Sequence, residues 1–183
     1  MNLDFDKLES PIGTVLVVAR EGRLCSLDFS DFETRFEHLL RIRYPDATLT
    51  PKANPAGITE CIRRYFNGDF TSFESLDVET GGTPFQQQVW QALREIHAGT
   101  TWAYGQLAQH IGNPKGSRAV GHANSLNPIA IVLPCHRVIG SNRTLTGYGG
   151  GLHRKRWLLE HEKASFADGK IPNLQTVLPF DGG

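Results

Sequence analysis

Residues 107–126, LAQHIGNPKGSRAVGHANSL, decide the architecture of the second half of the chain. Apolar residues at helical spacing predict a short helix over residues 107–111. The turn-forming run Gly112-Asn113-Pro114 ends it, and a second helix is predicted over residues 117–126. A short helix, a tight turn and a second helix are typical of a helix-turn-helix, although many helical hairpins share this pattern.

The second of these helices is built from small residues. Ala119, Gly121 and Ala123 are small, and Arg118 is its only long cation. Small residues allow a helix backbone to lie close to a narrow DNA groove without contacting many base edges. They equally allow tight packing against a neighbouring helix, and composition alone favours neither interpretation.

Residues 1–82 predict an α/β N-terminal structural domain with a small antiparallel sheet plus helices. Residues 12–29 are typical of a β-hairpin that turns at Glu21-Gly22. Residues 30–33 have the spacing of a capping box ahead of a helix, and Asn54-Pro55 opens another helix.

The sequence of residues 83–163 predicts a mainly helical C-terminal domain that contains the helix-turn-helix. It begins at Thr83-Pro84-Phe85-Gln86, which has a capping residue, a proline at the first helical position and a glutamine three residues after the cap. We predict that this domain binds DNA and carries the chemistry, and that residues 164–183 are a tail of unknown role.

The charge is distributed unevenly along the chain, although the formal net charge is zero. Residues 1–82 carry 9 Lys and Arg against 14 Asp and Glu, a balance of −5. Residues 83–162 carry 8 against 3, a balance of +5. This division favours contact of the second half with a polyanion, although such small counts are also compatible with chance.

The composition excludes several classes of protein. Apolar residues make up 39% of the 183 residues, and no run approaches the roughly 18 apolar residues of a membrane span. Three cysteines without a C-x-x-C pair fit neither a disulfide framework nor a zinc site. We expect a cytoplasmic or otherwise intracellular protein with no signal peptide, no membrane contact, no metal and no cofactor.

The chemistry-bearing segment is Pro134-Cys135-His136, at the end of a buried apolar run. A buried free cysteine is usually an inert, small apolar residue. Pro134, however, predicts irregular backbone at Cys135, where functional sites are common. Positive charge favours the reactive thiolate. Four residues supply it in the sequence around Cys135: His136, Arg137, Arg143 and Arg154.

A nucleophile, a base and an orienting acid can be assigned from the same region. Cys135 and His136 fill the first two roles, and Glu162 is our choice for the third. Spacing alone does not separate Glu162 from Glu160 or Glu95.

PCHRVI at residues 134–139 resembles the active-site signature of the O6-alkylguanine-DNA alkyltransferases, the methylated-DNA–protein-cysteine methyltransferases. Blocks in the family's order and spacing accompany it: Arg118-Ala119-Val120-Gly121, Asn127-Pro128, Gly147-Tyr148 and residues 157–162. The resemblance is strong over residues 83–163 and looser before them.

The resemblance implies direct-reversal DNA repair by a single-turnover enzyme. Cys135 would irreversibly accept the alkyl group from O6 of a flipped-out guanine, with O4-alkylthymine left open as a second substrate. His136 would polarise the thiol through a water, and Glu162 would orient His136. Tyr104 would help to rotate the nucleotide and donate to the departing guanine. Asn127 would brace the turn before the active-site strand.

The resemblance also implies how DNA is held. The partner would be double-stranded DNA, bound through its minor groove with little sequence specificity by a monomeric protein. Arg118 would replace the flipped base in the stack, and the DNA-contacting set would be Ser117, Arg118, Ala119 and Ala123.

The guanine pocket would be lined by Val138, Tyr148 and Gly149. The carbonyls of Cys135 and Val138 would accept from the guanine amino group. Gly149 stands where many relatives have serine, so only its backbone amide would serve.

Three other classes of protein remain to be separated by experiment. A non-catalytic module that binds alkylated guanine resembles this family but lacks the acceptor cysteine. A Cys-His hydrolase would turn over many substrates. A helix-turn-helix transcription factor would tolerate the loss of Cys135 and require a specific DNA sequence.

Overall fold

The computed structural model describes residues 1–167, and the chain separates into two compact units. The first comprises Met1–Gly81 and the return segment Pro128–Val132. The second comprises Gly82–Asn127 and residues 133–167. Of the tail predicted over residues 164–183, the part from residue 168 lies outside the described residues. None of the helices within residues 1–167 is long and apolar enough to cross a bilayer.

The first unit is built on a four-stranded sheet. Its strands are β1 (Asn2–Ser10), β2 (Gly13–Arg20), β3 (Arg23–Phe29) and β4 (Thr48–Pro51), in the order β3-β2-β1-β4. The predicted hairpin is confirmed, because β2 and β3 are antiparallel neighbours. Glu21 and Gly22 join them with φ values of 50° and 81°. Two consecutive positive φ values give the hairpin turn whose twist matches that of the strands.

The sheet is mixed, so the prediction of an antiparallel sheet is wrong for one of its strand pairs. β4 pairs with β1 in parallel, whereas β1 with β2 and β2 with β3 are antiparallel. The reason lies in the connection: α1 (Glu33–Arg43) links β3 to β4, and a helical crossover returns the chain in its original direction.

The helices of the first unit cover the sheet. α1 follows a 3-10 turn at Ser30–Phe32, and no side chain caps its start, so the capping box predicted at residues 30–33 is wrong. α2 (Ile58–Phe66) follows another 3-10 turn at Pro55–Gly57. One apolar core cluster joins strands to α1 and comprises Leu3, Leu16, Val18, Cys25, Phe36, Leu40 and Tyr44.

The return segment adds a short parallel bridge beside β3. The Leu27 amide donates to the Pro128 carbonyl at 3.0 Å, and the Ala130 amide donates to the Leu27 carbonyl at 2.9 Å. Residues 128–132 are therefore part of the first unit, and the chain leaves them two residues before Cys135.

The second unit is mainly helical. It contains α3 (Pro84–Leu93), α4 (Tyr104–His110), α5 (Ser117–Ser125) and α6 (Leu152–His161), with a parallel pair of two-residue strands, β5 (Trp102–Ala103) and β6 (Val138–Ile139). The capping box predicted at the start of α3 is confirmed. The Thr83 hydroxyl accepts from the Gln86 amide at 3.2 Å, and the Gln86 side chain accepts from the Thr83 amide at 2.9 Å.

The two helices predicted within residues 107–126 are present as α4 and α5. Gly112, with φ of 78°, ends the first, as its sequence position predicts. Leu107 and Val120 are fully buried, and the Trp90 indole of α3 donates to the Ala123 carbonyl at 2.8 Å. These contacts fix α5 within the helical unit.

Candidate active site

Cys135 starts a single 3-10 turn, Cys135–Arg137, that leads into β6. The preceding Pro134 has φ of −78° and ψ of 65°, and the Cys135 amide donates to the Leu133 carbonyl at 2.7 Å. The irregular backbone predicted at this cysteine is therefore confirmed. Cys135 is only 5% exposed, so any substrate atom that reaches its sulfur must enter the protein.

His136 and Arg137, the other two residues of this turn, form a buried hydrogen-bonded network with Glu162. Glu162 Oε1 contacts His136 Nε2 at 2.8 Å and accepts from Arg137 Nη2 at 2.8 Å. Glu162 Oε2 accepts from Arg137 Nε at 2.9 Å, and Arg137 Nη1 donates to the Ile96 carbonyl at 2.5 Å. The side chains of His136 and Glu162 have no exposed surface.

The other two acidic residues that spacing allowed lie elsewhere. Glu160 is exposed and pairs with Arg156 at 3.5 Å, and Glu95 is exposed and pairs with His110 at 2.9 Å. Glu162 is thus the member of this set that meets His136.

The protonation of the network follows from its surroundings. Burial disfavours the imidazolium and holds the pKa of His136 below its usual range, although Glu162 acts in the opposite direction. Burial acts to raise the pKa of Glu162, but hydrogen bonds and charge from His136 and Arg137 outweigh it and hold that pKa well below its usual range. The pair at neutral pH is therefore a neutral imidazole and a carboxylate.

This charge state assigns the imidazole proton. A carboxylate only accepts, so His136 Nε2 carries the hydrogen and donates it to Glu162. The other ring nitrogen, Nδ1, then has a lone pair. It is buried and has no hydrogen-bond partner within residues 1–167. His136 consequently has the tautomer of a general base.

Lys155 is a further buried cation of the site. It is fully buried on α6, and its Nζ donates to the carbonyls of Val138 at 2.6 Å and Thr146 at 2.7 Å. Burial lowers its pKa to about 8, while interaction with Cys135 acts in the opposite direction. The ammonium therefore ties the loop at Thr146 to β6 and adds positive potential near the thiol.

The positive charge near Cys135 differs from the sequence-based expectation. Arg137 is neutralised by Glu162, His136 is neutral, and Arg154 Nη1 donates to the Gly150 carbonyl at 3.0 Å. These hydrogen-bond and ion-pair partners depend on tertiary packing, so proximity to Cys135 in the sequence did not reveal them. Lys155, which the sequence analysis did not select, interacts electrostatically with the thiol instead.

Tyr104 and Asn127 both precede the cysteine segment in the chain. Burial raises the pKa of the Tyr104 hydroxyl and so does Cys135, while the Thr146 and Asn124 side chains that face the hydroxyl act to lower it. The hydroxyl therefore stays protonated at neutral pH. Asn127 is fully buried, and its Nδ2 donates to the Leu133 carbonyl at 2.8 Å, which closes the chain between α5 and the cysteine turn.

The residues predicted to line the pocket follow the cysteine turn. Val138 is fully buried, and its carbonyl accepts the Lys155 ammonium. Tyr148 and Gly149 are half-buried in the loop before α6. The Tyr148 carbonyl accepts from the Gly151 amide at 2.9 Å, which turns the chain into that helix.

The residues predicted to contact DNA divide between two faces of α5. Arg118 and Ala119 are exposed, and Ser117 is half-buried beside them. Ala123 is only 2% exposed and accepts from Trp90, so it belongs to the packed face and leaves the DNA-contacting set. A Cβ at Gly121 would lie 3.7 Å from the Tyr104 ring. Tight packing therefore explains the small residues on the buried face of α5, while DNA contact by the exposed face stays a prediction.

Comparison with known protein families identifies the family to which the chain belongs. Residues 5–80 match the family domain described as "6-O-methylguanine DNA methyltransferase, ribonuclease-like domain". Residues 84–164 match the DNA-binding domain of the same family. The chain belongs to the 6-O-methylguanine DNA methyltransferase family. The resemblance drawn from the cysteine signature is confirmed.

Individual relatives of this methyltransferase agree. The methylated-DNA–protein-cysteine methyltransferase of Salmonella typhimurium is 48% identical over 160 residues, which cover 86% of this chain and 94% of that protein. Mycobacterium tuberculosis OGT in complex with DNA has a TM-score of 0.76 at 40% identity, covering 89% of this chain and 93% of that one. The O6-methylguanine-DNA methyltransferase of Pyrococcus kodakaraensis has a TM-score of 0.65 at 26% identity, covering 87% and 98%.

The sequence analysis of this methyltransferase missed two residues that the structure places at the site. Lys155 stood in a run of basic residues, Arg154-Lys155-Arg156, that is typical of an exposed helix face. Asn124 was not selected from the sequence, yet it is 6% exposed and its Nδ2 lies 3.4 Å from the Cys135 carbonyl. Only the helical phase of α5 relative to Val120, four residues earlier, could have indicated its burial.

Proposed function

We propose that this protein reverses alkylation damage by transferring the alkyl group from O6 of guanine in DNA to Sγ of Cys135. The observation that carries the proposal is the buried cysteine turn, in which Glu162 holds a neutral His136 in a general-base tautomer, in a chain of this family. A relative named methylated-DNA–protein-cysteine methyltransferase matches 86% of this chain and 94% of its own length.

The proposed step balances without a cofactor. The C–O6 bond breaks as the S–C bond forms, and the electron pair of the broken bond remains on the guanine. The thiol proton passes to the lone pair of His136 Nδ1, through a water where the two do not meet. The Tyr104 hydroxyl, which stays protonated because its pKa is raised, donates a hydrogen bond to the departing base.

A flipped-out base is part of the proposal because Cys135 is buried. A thiol inside the protein cannot reach O6 within a stacked duplex, so the nucleotide has to leave the stack. We propose that α4 and α5 act as a helix-turn-helix that lies in the minor groove. Arg118 and Ala119 are exposed at its start, with Ser117 half-buried, and Arg118 would fill the vacated stack.

The proposal assigns one role to each unit. The helical unit supplies Cys135, His136, Glu162 and Tyr104 from a single chain, so one monomer suffices for binding and transfer. We propose the sheet-containing unit as the structural domain. Reduced acceptor thiols and a DNA substrate fit an intracellular location.

A transfer titration tests the proposed function. With excess duplex DNA containing O6-methylguanine, we expect the DNA to lose one methyl group per protein chain, after which the reaction stops. A thioether has no good leaving group, so the acceptor does not regenerate. Continued turnover would indicate a Cys-His hydrolase, and binding without any methyl loss would indicate a non-catalytic lesion-binding module. Either result would overturn the proposal.

Arg118→Ala tests the base-flipping role. We expect much slower repair of duplex DNA and a nearly normal reaction with the free O6-methylguanine base, because the free base needs no extrusion. Each 1.4 kcal/mol of lost support for the flipped state slows duplex repair about tenfold when flipping limits the rate.

The matched control is Lys115→Ala, which removes the same charge from the exposed turn before α5. We expect it to change the duplex rate far less than Arg118→Ala does. Equal losses of duplex repair rate in the two variants would show that Arg118 acts through its charge and does not fill the vacated stack. Loss of activity on duplex and free base alike would show that Arg118 supports the fold or the pocket.

A further inference from the structure

Asn124 presents a buried hydrogen-bond acceptor beside the reactive cysteine. Its side chain is 6% exposed on α5, and its Nδ2 donates to the Cys135 carbonyl at 3.4 Å. The Asn124 side chain also faces the Tyr104 hydroxyl. Its Oδ1 is buried and has no hydrogen-bond partner in the described part of the chain.

The orientation of this amide is fixed by chemistry. A backbone carbonyl only accepts, so the atom that faces the Cys135 carbonyl must be the NH₂ group of Asn124. Oδ1 is bonded to the same carbon and is therefore the acceptor that remains. Because buried polar atoms are nearly always hydrogen-bonded, a buried acceptor without a partner indicates a ligand that supplies a donor.

The guanine edge has such a donor. O6-alkylguanine has no hydrogen on N1, so the exocyclic 2-amino group is the strong donor on its Watson–Crick edge. The amino group has two hydrogens and needs two acceptors. The Val138 carbonyl accepts the Lys155 ammonium at 2.6 Å and has one lone pair left for one of these hydrogens, whereas the Cys135 carbonyl already accepts from the Val138 amide and from Asn124 Nδ2. Both lone pairs of Asn124 Oδ1 are unused within residues 1–167.

We infer that Asn124 is a specificity-determining residue whose Oδ1 accepts a hydrogen bond from the 2-amino group of the flipped O6-alkylguanine. The inference rests on the proposed function and refines its substrate class. Asn124 makes the pocket select 2-amino purines over bases that lack this group, O6-alkylhypoxanthine and O4-alkylthymine among them. It also links α5, the helix proposed to contact DNA, to the base that α5 helps to extrude.

The test compares two substrates that differ in the 2-amino group alone. Single-turnover transfer rates are measured on one duplex sequence that contains either O6-methylguanine or O6-methylhypoxanthine. Each protein yields the ratio of the two rates. Any difference in how readily the two bases leave the duplex cancels when the ratio of a variant is divided by that of the wild type.

Asn124→Leu removes the acceptor at similar volume, and Asn124→Ala removes it without any possibility of a clash. We expect both variants to lower the preference for O6-methylguanine by about 3- to 10-fold, the effect of one hydrogen bond. Asn124→Asp keeps an acceptor and is expected to keep the preference, even where its rates fall. The exposed neighbour Ser125→Ala is the matched control and should leave both rates unchanged. Thermal unfolding of each variant checks that it is folded.

Two results would overturn the inference. One is an equal loss on both substrates in the leucine and alanine variants, which would mean that Asn124 acts only through the Cys135 carbonyl. The other is an unchanged preference in all variants. Failure of the proposed function is distinct from both, because the wild-type protein would then transfer no methyl group from either substrate.

Discussion

A Cys135→Ala protein is expected to bind duplex DNA containing O6-methylguanine and to remove no methyl group from it. Neither of the other cysteines can replace the lost acceptor. Cys25 is fully buried in the sheet-containing unit, where burial raises the pKa of its thiol to about 11. Cys61 lies on α2 of the same unit. Single-turnover transfer assays and fluorescence anisotropy with the same oligonucleotide measure the two properties separately.

Cys61→Ser is the matched control for the loss of a thiol. Cys61 is half-buried, so its replacement is expected to leave both transfer and binding unchanged. Methyl removal by Cys135→Ala at any measurable rate would show that the acceptor lies elsewhere. Loss of DNA binding together with transfer would contradict the prediction, because it would show that Cys135 supports the fold or the DNA-binding surface.

Glu162→Gln is expected to slow alkyl transfer by about 10²- to 10⁴-fold while DNA affinity stays nearly intact. Glu162 holds the His136 proton on Nε2, so that Nδ1 keeps its lone pair. A glutamine can donate its amide hydrogen to Nε2 and thereby move the imidazole proton to Nδ1, where it blocks the base. Transfer rates measured from pH 6 to pH 9 test this role.

The same substitution is expected to lower the free energy of unfolding by about 3–5 kcal/mol, because Arg137 would keep a buried charge without its carboxylate. Glu160→Gln is the matched control, since Glu160 lies on α6 two residues away and is exposed. We expect it to change neither rate nor stability. A Glu162→Gln protein that reacts at the wild-type rate across the pH range would remove Glu162 from the mechanism.

The buried pair also predicts how stability depends on pH. The pKa of Glu162 is lower in the folded protein than in the unfolded chain, so its stabilising effect is complete above the ordinary value of 4.5 and is lost as the pH falls through the folded-state value. The pKa of His136 is also lowered, so acid favours the unfolded chain from its ordinary value of 6.5 downward. Unfolding in denaturant at a series of pH values should show stability falling from about pH 6.5.

The sequence predicted those parts of the fold that local chemistry determines. Positive φ values at Glu21 and Gly22 and the reciprocal bonds of Thr83 and Gln86 follow from residues next to one another in the chain. The parallel pairing of β4 with β1 joins residues more than forty positions apart, such as Asn2 and Thr48. Such pairing depends on the crossover through α1, which no local pattern specifies.

In the site, too, features set by neighbouring residues were predictable from the sequence, and features set by tertiary packing were not. The cysteine signature predicted Cys135 and His136 because the two are adjacent and lie in an unusual segment. The roles of Lys155 and Asn124 depend on burial and on which carbonyls they face, and both are consequences of tertiary packing. Ala123 was misplaced for the same reason, since helical composition does not reveal which face meets Trp90.

Peptide mapping of the alkylated protein tests the central claim most directly. The wild-type protein is incubated with excess duplex DNA containing O6-methylguanine, and intact mass spectrometry is followed by tandem mass spectrometry of its peptides. We predict a mass increase of one methyl substitution per chain that does not grow with time, located on Cys135. A methyl group on Cys25 or Cys61, more than one per chain, or methyl loss from DNA with no gain by the protein would contradict it.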